Sequence, residues 1–421
     1  MDVSTGCIIS SQSNFLLSHQ MLRDATGKLW LFYLAPDAFL NCGTSENEGK
    51  TWSNPSELTD EVSGPFTAVT DQNNHIHLCA VRRLNELTYM QWDGLNWSRN
   101  ILPMDNLRGQ PFFPIAHIDR WGVVHIVCGF RSNPDEWSVV HYLIDARKNL
   151  LIKTHYDVPC ALDILLDIST KDAGPKKYVS FLAGALDSDT QGNLHLVHRY
   201  FDGRYFQLYY NFFNSGSSQW GPPVPLIDAD CNCGIPSMFI DPQDNIHLLW
   251  SSFGAGKFRL NYRRKSGDWQ QQVILSEKST AIESPLLLHV REEVAACWHE
   301  NGKILYHTLN NFSDEISPTP WICPDDTAAI KVNSNTWSSG SKTTIPLTLA
   351  RKENGHHIIH FDTANLTDDI PNSHAKQDSD NIVDGFFYLK DSNLPGIQQK
   401  QHAQPADNPQ NDGKIITWKN L

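Results

Sequence analysis

A chain of 421 residues with 40% hydrophobic content can bury a large core without help from disulfides or metals. Its 47 acidic against 34 basic residues leave a formal charge of -13, which argues against nucleic acid and anionic membranes as general partners. No run approaches the ~18 apolar residues of a membrane helix. Residues 1–10 lack the basic start of an export leader. The nine cysteines are scattered, several within apolar runs (Cys79, Cys128, Cys297), and read as reduced, buried thiols of a cytoplasmic protein.

In chain order, a lone apolar strand at Thr5–Ser10 comes first. A repeating unit follows, in which an Asp-led polar turn precedes apolar residues that alternate with His or Trp. Copies start at Asp24 (DATGKLWLFYL), Asp71 (DQNNHIHLCAV), Asp119 (DRWGVVHIVCGF), Asp189 (DTQGNLHLVHRY) and Asp241 (DPQDNIHLLWSSF), with weaker copies at Val290 and Arg351. Most starts are separated by the ~40–50 residues of a propeller blade. The wider gap between Asp119 and Asp189 predicts an insertion at 159–178. Each turn is followed by a second strand rich in aromatic residues: LTYMQW (87–92), VVHYLI (139–144), LYYNFF (208–213), LNYRRK (260–265) and ILYHTL (304–309). Then comes a polar turn, often ending on Trp, as at Trp52, Trp97, Trp220 and Trp269. Alternating β-branched and aromatic residues between Gly, Asp and Asn turns predict short antiparallel strands. The expected fold is all-β, a single propeller over 1–389 of about seven four-stranded blades, or six. The last unit lacks a final strand after GFFYL (385–389), so the N-terminal strand is expected to complete it. Residues 390–421 read as a disordered polar tail, with ITWKNL (416–421) as a docking stub.

Ser45-Glu46-Asn47-Glu48-Gly49-Lys50-Thr51-Trp52 resembles the Asp-box of sialidase-type (BNR-repeat) propellers, with Asn47 in place of the usual Asp. WDGLNW (92–97) and KSGDW (265–269) are degenerate copies. In that family the box joins the third and fourth strands on the face opposite the ligand, so the resemblance implies fold and not chemistry. The Phe/Tyr-Arg-Ile-Pro segment that supplies a carboxylate-binding arginine in sialidases is absent, and their tyrosine nucleophile with its glutamate has no counterpart here.

His77, His125, His195, His247 and His357, with Trp30 in the first unit, hold one position of the repeat. A group present in nearly every blade is expected to support the blade, since a catalytic group is needed once. The other end of the same strand is expected to face a ligand. Three such strands end near arginine: Arg82, Arg131 and Arg199. Arg204 and Trp298 lie close by in register. Arginine forks bind carboxylate or sulfate, and aromatic rings stack on sugars. The alternative reading has these arginines solvated, or paired with Glu86, Asp135 and Asp202. His198, Tyr200 and His299 are the candidate catalytic groups, because a His or Tyr base beside an arginine is what β-elimination from a uronate needs. Cys231-Asn232-Cys233 is read as a small-residue turn in preference to a metal or redox site. The sequence therefore predicts a propeller that binds an acidic oligosaccharide or a protein, without metal or cofactor. The alternative is a carbohydrate-active enzyme on acidic glycans, either a uronate lyase or a sialidase-like hydrolase.

Overall fold

The computed structural model of the chain describes residues 7–9, 19–35, 38–47, 49, 51–82, 86–104, 110–133, 136–145, 150–158, 184–201, 204–227, 230–290, 293–301, 303–309, 319–321, 327–332, 347–353, 356–362 and 416–417. Among these residues every regular element is a β-strand, and the strands form seven antiparallel sheets. Sheet one comprises His19–Arg23, Leu29–Leu34, Leu40–Ser45 and Ser56–Thr59, and sheet two Val62–Thr70, Ile76–Arg82, Leu87–Trp92 and Trp97–Ile101. Sheet three comprises Gln110–Ile118, Val124–Asn133, Glu136–Asp145 and Leu150–Val158. In sheet four, Gly184–Ser188, Leu194–Phe201 and Phe206–Asn214 are followed by Gln219–Trp220 and Val224–Pro225, both on the third strand. In sheet five, Asn232–Cys233 and Ser237–Ile240 both pair Ile246–Gly254, which leads to Lys257–Ser266 with Asp268–Trp269 and Val273–Lys278 on its far side. Sheet six comprises Ile282–Val290, Glu293–Glu300, Lys303–Thr308 and Thr319–Trp321.

The seventh sheet runs Thr327–Val332, Leu347–Glu353, His356–Asp362 and then Cys7–Ile9, so the N-terminal strand closes it as the sequence leads one to expect. Cys7–Ile9 lies directly on His356–Asp362, where a strand at 385–389 was expected. Residues 385–389, the insertion at 159–178 and 390–415 lie outside the described residues. Thr327–Val332, which the repeat count passes over, forms the far edge of this sheet. Within the tail, Ile416–Thr417 pairs with Leu151 and Leu150 as a fifth strand of sheet three.

The Asp-led repeat has a clear physical basis. In five sheets the first and second strands are joined by the same turn. One oxygen of Asp24, Asp71, Asp119, Asp189 or Asp241 accepts the backbone N–H groups two and four residues on, at 2.8–3.1 Å. This lets the chain reverse within four residues while its amides stay bonded. The second oxygen faces the repeat residue: Trp30 Nε1 donates to Asp24 at 2.9 Å, and His247 Nε2 lies 3.2 Å from Asp241. The other histidine nitrogen meets the next strand, with Nδ1 of His77, His195 and His247 within 2.6–2.8 Å of the hydroxyls of Tyr89, Tyr210 and Tyr262. His125 meets His141 in the same way at 3.0 Å. At His125, His195 and His247 a buried chain of hydrogen bonds thus runs from the turn Asp through the histidine to the next strand, which is the supporting role expected of a repeated histidine.

The core lies between neighbouring sheets. Val69, Cys79 and Tyr89 pack on Ile118, Ile126 and Val140 between sheets two and three, and Val197, Leu208 and Tyr210 on Met238, Leu248 and Trp250 between four and five. First strands of successive sheets share no backbone ladder, so their amides need side-chain partners. Gln20 exchanges two bonds with the backbone of Ala68 at 2.6 and 2.7 Å, Thr67 Oγ1 accepts from Ala116 N, and His117 bonds Ser188 Oγ at 2.8 Å. Asp187 accepts from Ile240 N, and Ser237 from Leu287 N. These contacts link sheets one to six side by side in chain order.

In the Asp-box-like turn between the third and fourth strands of sheet one, Asn47 Oδ1 accepts from Thr51 N at 2.9 Å and Ser45 Oγ from Gly49 N at 2.8 Å. Gly49 has a φ of 76° there, a conformation open to glycine without strain.

Candidate functional site

The connections between sheets and the loops joining second to third strands meet at one end of the molecule. Val62 N donates to Ala38 O, Arg82 reaches Asp60, Arg204 reaches Asp230, and Phe206 N donates to Asn232 Oδ1. The arginines named from sequence lie at this end, but they differ in their surroundings.

Arg82 is fully engaged. Its Nη2 donates to Asp60 Oδ1 at 2.6 Å, its Nη1 to Glu86 Oε2 at 2.7 Å and its Nε to the Asp60 carbonyl at 3.1 Å. The charge is already offset by carboxylates, as in the alternative sequence reading for Glu86. The backbone of Arg131 pairs with Gln110 and Trp137 in sheet three, and its side chain lies outside what is described. Arg204 is 70% exposed, 3.4 Å from the equally open Asp230, and lies over the ring of Tyr205. Trp298 is completely buried between sheets five and six and donates to Glu300 Oε2 at 3.1 Å. It is a core anchor and offers no face to a sugar, contrary to its sequence role. His299, half-buried, is the next residue on that strand, opposite Glu283 and Ile304.

Arg199 stands apart. Only 8% exposed, it lies with its guanidinium 4.2 Å above the ring of Phe206. No carboxylate faces it among the described residues, and its Nε has no hydrogen-bond partner there. Burial pulls its pKa down to about 10, against the attraction of Cys233, so it remains a cation at neutral pH. A buried cation without a carboxylate costs free energy, and such cost is expected where a ligand supplies the missing charge.

Side chains alternate across a strand. His195, Val197 and Arg199 therefore face sheet five, whereas His198 and Tyr200 face sheet three. His198 is 1% exposed, with Nε2 3.2 Å from Asn211 Oδ1 and Nδ1 3.3 Å from the Arg199 carbonyl. Burial lowers its pKa to about 4 against the pull of these two bonds, so the ring is neutral at pH 7. The neutral ring has one N–H, which donates to one of these two oxygens, and its buried place between them makes His198 a support for its neighbours. Those neighbours are Tyr209, edge-on to His198 at 6.1 Å, and Tyr200, stacked on Tyr209 at 3.7 Å and 11°. Both tyrosines are half-buried and present the reachable part of this face.

Sheet five completes the region. Asn232, bonded to Phe206, is paired in register with Phe253, which is 42% exposed and packs on Phe258 at 4.5 Å. At this end of sheet four, Arg199 and Phe206 lie on the side of sheet five, with Phe253 on that sheet, Arg204 reaches Asp230, and His198, Tyr200 and Tyr209 lie on the opposite side. Arg82 belongs to sheet two and Trp298 and His299 to sheet six. Sequence reasoning missed Tyr209 and Phe206. The hairpin register of LHLVHRYF on FQLYYNFF, which sets His198 opposite Tyr209 and Arg199 opposite Leu208, was the signal that would have found Tyr209.

No family model matches the chain, and no curated protein matches it. Solved structures do. An ulvan lyase of a polysaccharide lyase family, PL25, solved bound to -[GlcA(1-4)Rha3S]-, superposes with a TM-score of 0.58 at 10% identity, covering 86% of this chain and 95% of that one. The polysaccharide lyase Uly1 gives 0.52 at 9% identity over 82% and 89% of the two chains. A fucose-specific lectin from Aleuria aurantia gives 0.40 at 10% identity over 70% and 90%. At such identities the likeness concerns fold: the chain is an all-β protein of the propeller type.

Proposed function

We propose that the chain is a seven-bladed propeller of the Asp-box type whose loop face binds an anionic polysaccharide across the ends of sheets four and five. The observation that carries this reading is Arg199, a buried guanidinium with no carboxylate beside it among the described residues. A uronate or sulfate group fits that vacancy in charge, and a guanidinium binds either through paired N–H donors. Arg204 adds a second cation at the rim, and Tyr200, Tyr209 and Phe253 offer rings for sugar faces. The ulvan lyase of like fold was solved with an oligosaccharide carrying both a uronate and a sulfate. The test is a panel of uronic, sialic, sulfated and neutral oligosaccharides, GlcA(1-4)Rha3S oligomers included, followed by calorimetry. Binding of acidic members that weakens as salt rises is expected. A panel with only neutral hits, or none at low salt, sinks the reading.

A second reading, uronate β-elimination, is favoured by one further observation: the stacked Tyr200–Tyr209 pair lies one residue from Arg199 on the same strand end. An arginine that offsets the carboxylate acidifies the C5 proton, and a tyrosine reached over the end of the strand, from its other face, serves as the base. His198 then orients the tyrosines from below. Release of an unsaturated, ultraviolet-absorbing product, lost in Tyr200→Phe, supports elimination. Binding without such a product leaves recognition as the function.

A further inference from the structure

The tie between sheets four and five differs in kind from the tie between sheets one and two. There Val62 N donates to Ala38 O, a bond between backbones that needs no particular side chain. Between sheets four and five, residues 204–207 rest on residues 230–232 through side chains. Gln207 Nε2 donates to the Cys231 carbonyl at 3.2 Å, Arg204 Nη1 lies 3.4 Å from Asp230, and Phe206 N donates to Asn232 Oδ1 at 3.0 Å. Asn232 is exposed, while Cys231 and Cys233 on either side of it are buried, so strand alternation turns its amide away from the core. Its backbone is seated from behind. It pairs with Phe253, and Gly234 N donates to Ser251 O at 2.7 Å. Gly254 packs so closely that a Cβ there would meet the Asp230 carbonyl and the Cys231 Cβ at 2.8 Å.

We propose that Asn232 is a positioning residue for Arg199 and acts through Phe206. The argument follows the contacts outward from the charge. Arg82 is placed by carboxylates, but none faces Arg199 among the described residues. Its guanidinium lies instead 4.2 Å over the ring of Phe206, an attraction that holds only while the ring face stays beneath the cation. Whatever places Phe206 therefore places Arg199. Phe206 opens its strand and pairs with Phe201 at the end of the ladder, and its N–H finds its acceptor on Asn232. A backbone donor that loses its acceptor turns to water, so removing the Asn232 amide frees the Phe206 backbone and lets the ring leave the guanidinium. With the amide in place, the arginine fork is presented in one orientation, which lowers the ordering cost of meeting a carboxylate or sulfate. This gain in affinity rests on the anion-binding reading, and the positioning itself does not. Asn232 belongs to sheet five and Arg199 to sheet four, so the arrangement is complete only where the two sheets meet.

The test reads Arg199 without any ligand. The full-length chain is treated with phenylglyoxal, which modifies arginine, and each site is followed by peptide mass spectrometry. Arg199 should react more slowly than exposed Arg204. In Asn232→Ala its rate should rise roughly threefold or more, the size of a lost cation–ring contact, while Arg82 on sheet two keeps its rate. Asn232→Asp, which still accepts from Phe206 N, should restore the slow rate. Phe206→Leu should speed Arg199 as Asn232→Ala does, and the two changes together should do no more than either alone. An unchanged Arg199 rate in Asn232→Ala, a rise shared by Arg82, or additive effects in the double variant overturns the proposal. Should a variant fail to fold, hydrogen exchange of the unchanged chain decides: the Phe206 amide is expected to exchange slowly, and exchange as fast as that of an unbonded surface amide overturns it. Affinity for tetragalacturonate is then measured by calorimetry, with a loss of roughly threefold or more expected in Asn232→Ala and no further loss when that change is added to Arg199→Met. Faster labelling of Arg199 with affinity unchanged overturns the link to binding and leaves the positioning standing. Absence of tetragalacturonate binding by the unchanged chain counts against the anion reading alone.

Discussion

Arg82 ends the second strand of sheet two and Arg199 lies two residues before the end of the second strand of sheet four, and their surroundings are opposite. Arg82 holds two carboxylates and a carbonyl within 3.1 Å, so its charge is spent inside the protein. Arg199 is more deeply buried, over an aromatic ring, with no carboxylate among the described residues. Strand parity explains the difference. Arg82 lies an odd number of positions beyond His77 and turns back toward sheet one, whose connection supplies Asp60. Arg199 lies an even number beyond His195 and turns toward sheet five, which supplies Phe206's partner Asn232 and the Cys233 thiol. Two arginines that look alike in the repeat are thus a structural clamp and a candidate anion site.

The largest effect is expected at Arg199. Arg199→Met should weaken binding of an acidic oligosaccharide by about 1.5–3 kcal/mol, the range of a charge-assisted hydrogen bond, as read by calorimetry. Its thermal stability should hold or rise, because an uncompensated buried charge is removed. A variant that both unfolds and loses binding would make Arg199 a clamp like Arg82 and end the contrast.

Next comes the repeat network. His247→Phe leaves the Tyr262 hydroxyl and Asp241 without the ring nitrogens they meet at 2.8 and 3.2 Å, and should cost about 2 kcal/mol in denaturant unfolding while glycan affinity stays unchanged. A change in affinity with stability intact would move the repeat histidine into the site.

Arg82→Gln should cost about 1 kcal/mol, since its partners are partly exposed, and should leave binding untouched. Loss of binding there would show that the anion site spans several sheets.

The smallest effect is in acid. Hydrogen bonds from His195 and Asn193 hold the Asp189 carboxyl at about 2, although burial pulls upward. Its folded pKa is therefore below its unfolded one, so its contribution is complete above about pH 4 and is lost as pH falls toward 2. Asp189→Asn should flatten the fall of melting temperature over that interval and leave pH 7 binding unaltered.

Much of the fold was legible in the sequence because its signals are local. An Asp two and four residues before a bonded amide, a His alternating with apolar residues, and an aromatic on the next strand each act within one hairpin. The closing strand Cys7–Ile9 was legible because seven units left one strand over. The site was legible only in part. LHLVHRY marks where charge and aromatic groups concentrate, but it does not say that His198 turns inward onto Asn211 or that Trp298 disappears between two sheets.

The sequence by itself determined the repeated hairpin, its turn chemistry and its supporting histidines, since hydrogen bonds within four residues and strand alternation depend on no distant partner. Only the tertiary structure decided which arginine has no carboxylate beside it among the described residues and which tyrosines remain reachable. Those outcomes depend on the parity of each side chain and on what surrounds it: carboxylates for Arg82, the ring of Phe206 and the Cys233 thiol for Arg199. The physical reason is that charge and burial are properties of the gap between two sheets, and each gap is built from segments some fifty residues apart, as a blade repeat requires.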